Sequence, residues 1–280
     1  MGVETRRMSS RRRWLASGVV ATLVTVGGFA PQVDAQLARG VASVEAEGTQ
    51  FKVTLPDGRV LRSPELVGAV LNLRSGLRVR IEGVEEDRDS RGGPLWLHTL
   101  SMQHGDGTWA SFRNHGPDGR RAGFPVSGRA TAHGTVAEAE PGVFELTCTG
   151  GAQAKCVRFG YRPWEMGPDG RPMRALYNAC VRMVRADYGG DGHATTRDGM
   201  LIDIYDAWNI QTADLQEGSD FEAGWSPEGA VCVHHVRVKE NVSLEELERL
   251  HPRLKGRTGA VCTEDFARTH GALLFNRSQP

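Results

Sequence analysis

Met173-Arg174-Ala175-Leu176-Tyr177-Asn178-Ala179-Cys180-Val181-Arg182-Met183-Val184-Arg185 is the stretch on which the fold class turns. Leu176, Ala179, Cys180, Met183 and Val184 fall at i, i+3, i+4, i+7 and i+8, one apolar stripe of an amphipathic helix. On either side the pattern changes. Residues 143–147, 155–161, 201–205 and 230–238 read as strands. Ser243-Leu244-Glu245-Glu246 is a capping box that opens a short helix to Leu250, and 263–270 is a last short helix, stopped by Gly271 before the apolar 272–275. Helices and strands mixed without a strand–helix–strand rhythm give an α+β class.

Upstream, from about 41 to 134, short strands are separated by turn signals. Phe51-Lys52-Val53-Thr54-Leu55 alternates apolar with polar before Pro56-Asp57-Gly58 turns the chain, and Leu77-Arg78-Val79-Arg80-Ile81 alternates again. Residues 95–102 and 109–112 extend the meander. The stretch 137–142 reads as a connector. The expected organisation is an export signal (1–35), a β-rich region (36–140) and a disulfide-containing α+β domain (141–280).

The export signal is read from the first 35 residues. A basic stretch (Arg6, Arg7, Arg11, Arg12, Arg13) runs into an apolar one over 14–30, and Val33-Asp34-Ala35 offers a small-x-small cleavage site with Gln36 as the first mature residue. Ser10-Arg11-Arg12-Arg13-Trp14-Leu15 is similar to a twin-arginine signal with Trp in place of Phe. The expected location is therefore secreted or periplasmic, and no later apolar run is long enough to span a bilayer.

The chain carries 34 basic and 34 acidic residues, and loss of the leader leaves a net charge of about −3. Near-neutrality gives no long-range attraction for nucleic acid or for a membrane surface, and the arginines are scattered along the sequence. The five cysteines (148, 156, 180, 232, 262) lie in the C-terminal half, where an oxidising compartment favours disulfides. Cys148 and Cys156 sit symmetrically about Gly150-Gly151, so a hairpin there would place them opposite one another and join them. Cys180 lies mid-helix on the apolar stripe. That position suits a structural residue better than a nucleophile served by His193, His234 or His235.

The densest polar segment runs from Arg185 to Asp206. Asp187, Asp191, His193, Arg197 and Asp198 form the candidate polar site, because carboxylates spaced by glycines can wrap a cation or serve a hydrolase. The spacing does not fit an EF-hand, and Asp-Gly runs are also turn formers. On this reading the carboxylates cap backbone groups and pair with Arg182, Arg185 or Arg197. No metal and no cofactor is expected. His234 and His235, adjacent on an expected strand, would face opposite sides. Trp164, Trp208 and Trp225 read as core, and the sequon Asn276-Arg277-Ser278 carries little weight.

Ala179-Cys180-Val181-Arg182-Met183-Val184-Arg185-Ala186-Asp187-Tyr188, followed by Gly190-Asp191-Gly192, Thr196-Arg197-Asp198-Gly199 and Ile202-Asp203-Ile204-Tyr205-Asp206, resembles the ADYC domain family of exported myxobacterial proteins. Ala154-Lys155-Cys156-Val157, Phe159-Gly160-Tyr161, Gly229-Ala230-Val231-Cys232-Val233 and Leu274-Phe275-Asn276-Arg277-Ser278 extend the resemblance over 145–278. It brings no activity with it. The family tetrapeptide ends in Cys where this chain has Gly189, which implies that a former partner among Cys180, Cys232 and Cys262 is left unpaired, with His251 as a second replacement. The reading is of an exported soluble protein of unknown partners, a non-enzymatic binding or envelope-structural module. The alternative is a hydrolase-like enzyme or a Ca-binding protein that uses the 187–206 loop.

Overall fold

The computed structural model describes residues 40–279, except 74–75, 89, 113–118, 120, 139 and 215–217. The expected leader and its cleavage site lie outside the described residues. The protein is α+β, with helices set against antiparallel sheets. β1 (Ser43–Glu47), β2 (Gln50–Thr54) and β3 (Val60–Arg62) form one sheet in sequence order. The second is built from β4 (Val70–Asn72), β5 (Arg78–Asp87), β6 (Leu95–Gln103), β8 (Ala122–Ser127) and β9 (Phe144–Cys148), with β7 (Trp109–Ser111) paired to β6. β8 and β9 are neighbours, so this sheet runs past residue 140.

The alternation in β5 buries Val79 and Ile81 completely, and both join Phe51, Val53, Leu66 and Leu100 in a core of their own. His98 of β6 sits at this core's edge, held by Gly123 O and Ser63 Oγ, and burial pushes its pKa down to about 4.

α1 (Ala152–Arg158) and α2 (Arg174–Arg185) follow. The third sheet has the order β10 (Ile202–Asp206), β13 (Leu274–Ser278), β11 (Asp220–Ser226), β12 (Gly229–Val233). Two short helices, α3 (Leu244–Leu250) and α4 (Glu264–Thr269), start at Ser243 and Thr263. Each cap's hydroxyl accepts a bond from the backbone N–H three residues on. α2 packs against this sheet, and the expected stripe is buried at Leu176, Ala179, Cys180 and Met183. Tyr177, Val181 and Arg182 are buried as well, whereas Val184 is only partly covered. The helix is therefore enclosed on more than one face.

Four readings of the sequence are corrected. Residues 152–158 are a helix, not part of a strand, so the hairpin about Gly150-Gly151 does not form and Cys148 and Cys156 are not register partners. Cys156 instead turns toward α2 and bonds Cys180, while Cys232 bonds Cys262. Cys148, at the end of β9, is the free thiol, so the odd cysteine is not one of Cys180, Cys232 and Cys262. The strand expected over 230–238 ends at Val233, which releases His234 and His235 from strand geometry. His234 meets Cys262 O and His235 meets Ser278 Oγ. Of the three tryptophans, Trp225 is fully buried and stacked on Tyr188; Trp164 and Trp208 are partly buried at the edge of the same core. Asn276 of the sequon is fully buried and carries no accessible amide.

Candidate functional site

The 186–199 loop begins where α2 stops. Ala186 takes a left-handed conformation (φ 48°), and the N–H groups of Ala186 and Asp187 return to Met183 O and Arg182 O, a Schellman-type ending. Asp187 is fully buried. One carboxylate oxygen accepts from Gly190 N–H at 2.9 Å; the other accepts from Gly192 N–H at 3.0 Å and from Arg182 Nη1. Gly190 (φ +76°) has no room for a side chain, since a Cβ there would lie 1.7 Å from Glu228 O. Asp187 thus ties the loop to the helix that precedes it, with three donors on its two oxygens. Asp203 and Asp206 likewise accept backbone N–H groups, from Asp214 and from Trp208, Ile210 and Gln211.

The other candidates separate into two places. Asp191 and His193 line a recess of about 220 Å³ with Glu246 and His251. The His193 backbone N–H bonded to Asp191, aided by the nearby His251 and His193 charges, holds its carboxyl below the usual aspartate range. Here Gly189 faces His251: a Cβ on Gly189 would sit 2.3 Å from His251 Cε1, so the imidazole fills the place of the missing side chain. Arg197 and Asp198 line a different and larger cleft. The five residues do not converge. Among the described residues no group of three or more His, Cys, Asp or Glu is placed to hold a metal.

The larger cleft has a volume of about 710 Å³. Its lining comes from α1 with Phe159, from Val184 and Arg185 at the end of α2, from the 196–202 segment entering β10, and from Ser90 and Arg91 of the β5–β6 loop. Arg91 N–H donates to Arg158 O, fixing that loop to α1, and Gln211 Nε2 donates to Phe159 O. Its lining includes six cations (Arg91, Lys155, Arg158, Arg185, Arg197, Arg237) and one acid, Asp198.

Arg237 is anchored from behind. Its guanidinium donates to both oxygens of Glu222 and to Met183 O, with Thr196 Oγ1 at 3.3 Å. Glu222 also accepts from Tyr188 OH and from Asn276 Nδ2, and Trp225 Nε1 donates to Asn276 Oδ1. Burial alone would raise the Glu222 pKa; the Arg237 charge and its hydrogen bonds outweigh that and hold it low. Sequence reasoning reached Arg197 and Asp198 but missed Arg91, Lys155, Phe159, Gln211 and Arg237. They come from segments far apart in the chain, and no local spacing announces them.

In comparison with known proteins, the family model of the ADYC domain matches residues 63–239. No curated protein and no solved structure matches the chain.

Proposed function

The chain belongs to the ADYC domain family, and from that premise we propose that it is an exported, non-enzymatic binding module whose ligand site is the cleft between α1 and β10. The observation that carries this reading is the cleft itself, of a size ordinary for small-molecule sites, with apolar walls and several polar groups directed by separate elements. The residues that would suggest catalysis have structural employment: Asp187 holds its loop, and four of the five cysteines are in disulfides. Export is supported by the basic-then-apolar leader and by the two disulfides, which persist in an oxidising compartment. Among the described residues no helix is long and apolar enough to cross a membrane.

A thermal-shift screen of the exported protein against small metabolites tests the reading, with Ala152→Trp, which puts a bulky ring on the cleft lining, as control. Ligands that raise the wild-type Tm by several degrees and leave the variant unmoved are expected. No such ligand, together with turnover of ester, phosphoester or peptide substrates, would overturn it. N-terminal sequencing of the exported form is expected to begin at Gln36.

A further inference from the structure

We infer that the cleft takes a small amphipathic oxyanion, its charged head met by Lys155, Arg91 and Arg185 and its apolar body laid along Phe159, Val184 and Ile202. This rests on the binding-module reading and adds the chemistry of the ligand.

The charge argument begins with which cations are already neutralised. Arg237 is cancelled by Glu222, both buried, and Arg158 is paired at 2.8 Å with the fully buried Asp87. Arg197 reaches Glu240 at 3.3 Å, but both side chains are more than half exposed, and such pairs hold their partners weakly. Arg91 and Lys155 have no hydrogen-bond or ion-pair partner for their side chains among the described residues. Arg185 donates to Gly192 O, yet its Nε is buried without a partner. Counting Asp198 and the three paired carboxylates against the six cations still leaves a cleft with two positive charges in excess, in a chain of net charge near zero. A concave, low-dielectric wall concentrates that field on whatever enters. An oxyanion would supply an acceptor to the buried Arg185 Nε, which has none, and would meet Lys155 and Arg91, whose side chains have no protein partner among the described residues, in charge-assisted hydrogen bonds.

The apolar side is equally defined. Phe159, Val184, Met200 and Ile202 are all half-buried at the cleft, so each leaves part of its apolar surface to be covered. A bare inorganic anion would leave that surface wet; an anion on a hydrocarbon or aromatic body would cover it. Nothing covalent is required. The head is held by charge and the tail by burial.

Isothermal titration of the exported protein with octyl phosphate, octanoate and octyl glucoside, each below its micelle-forming concentration, separates the two contributions. Octyl phosphate or octanoate is expected to bind at least tenfold tighter than octyl glucoside, and raising salt from 0.1 to 0.5 M should weaken only the anions. The double reversal R91E/K155E, at two side chains with no partner to lose among the described residues, should keep the wild-type Tm and lower anion affinity at least tenfold. The stronger of the two anions tells phosphate from carboxylate.

Equal binding of octyl glucoside and the anions, unaffected by the double reversal, would overturn the inference while leaving the binding cleft intact. Failure of all three probes at millimolar concentration would overturn it too. The binding-module reading would then stand or fall on whether the screen yields an Ala152→Trp-sensitive ligand.

Discussion

Replacing Glu222 by Gln removes the negative charge around which Arg237 is buried. The two side chains are 1% and 0% exposed, and Arg237 Nη2 and Nε lie 2.9 and 3.0 Å from the two carboxylate oxygens. Gln keeps the shape but offers one acceptor oxygen where four donors now converge: Nε and Nη2 of the one guanidinium, Tyr188 OH and Asn276 Nδ2. At least one donor must then face an amide NH2. Arg237 retains Met183 O, so part of its solvation survives. Breaking a buried pair by removing one partner costs about 3–5 kcal/mol, and the retained contacts place E222Q toward the lower end, about 3 kcal/mol. R237M is expected to cost a similar amount, because it leaves Glu222 charged and buried.

Urea unfolding with the disulfides intact reads these values, and the double variant completes the cycle. Because the singles disrupt one unit, the double should cost about 2 kcal/mol less than their sum. Single costs under about 1 kcal/mol, or strict additivity, would refute the claim that this pair organises the core. The pH dependence has a definite sign. The folded-state pKa of Glu222 is held below its ordinary 4.5, so the stabilisation is complete above 4.5 and is lost as pH falls through the folded value. The wild-type midpoint should therefore fall with acid below about pH 4.5, and E222Q should fall less steeply.

Asp187→Asn should destabilise by about 2–4 kcal/mol and loosen the 187–192 loop, seen as faster amide exchange at Gly190 and Gly192, because Arg182 loses its buried counter-charge. Thiol titration should find one free thiol per chain; Cys148→Ser should remove it without lowering Tm, and a peptide map that joins Cys148 to Cys156 would contradict the pairing described above. Gly189→Cys alone should destabilise by about 1–3 kcal/mol, since its Cβ meets the His251 ring, whereas G189C/H251C should form a third disulfide with the thiol count still at one.

The sequence disclosed elements wherever periodicity had room to repeat. Twelve residues of α2 display three turns of one apolar face, and residues 77–81, which lead into β5, display the alternation that buries Val79 and Ile81 before the register shifts at Gly83. α1 has only seven residues, and Val157, Phe159 and Tyr161 alternate with Arg158 and Gly160 well enough to resemble a strand. What makes it a helix is tertiary: Ala154, Cys156 and Val157 are buried, and Cys156 is bonded to α2. That misreading also created the false hairpin and the false cysteine pair. The cleft escaped for a different reason. Arginines scattered in sequence announce no common purpose, yet Arg91, Arg158, Arg185, Arg197 and Arg237 come to one place when α1, α2 and β10 pack.

The stretch Ala186-Asp187-Tyr188 owes its meaning to this packing and not to chemistry of its own. Ala186 ends α2 in a left-handed turn, where a larger side chain at a fully buried position would not fit and where Gly is the usual occupant. Asp187 closes the turn by capping Gly190 and Gly192. Tyr188 stacks on Trp225 of β11, donates its hydroxyl to Glu222 and accepts the Arg237 backbone N–H at 2.9 Å. Three consecutive residues therefore tie the end of the helix and the loop after it to β11 and to Arg237. Arg185 precedes them and Arg237 is held by them, and both line the cleft. A substitution at Tyr188 is expected to act on the core that carries Arg237 and not on the ligand. Tyr188→Phe, which keeps the stacking and deletes the hydroxyl, isolates that effect: stability should fall by about 1–2 kcal/mol, while affinity for octyl phosphate, whose head meets Lys155, Arg91 and Arg185, should stay near the wild-type value.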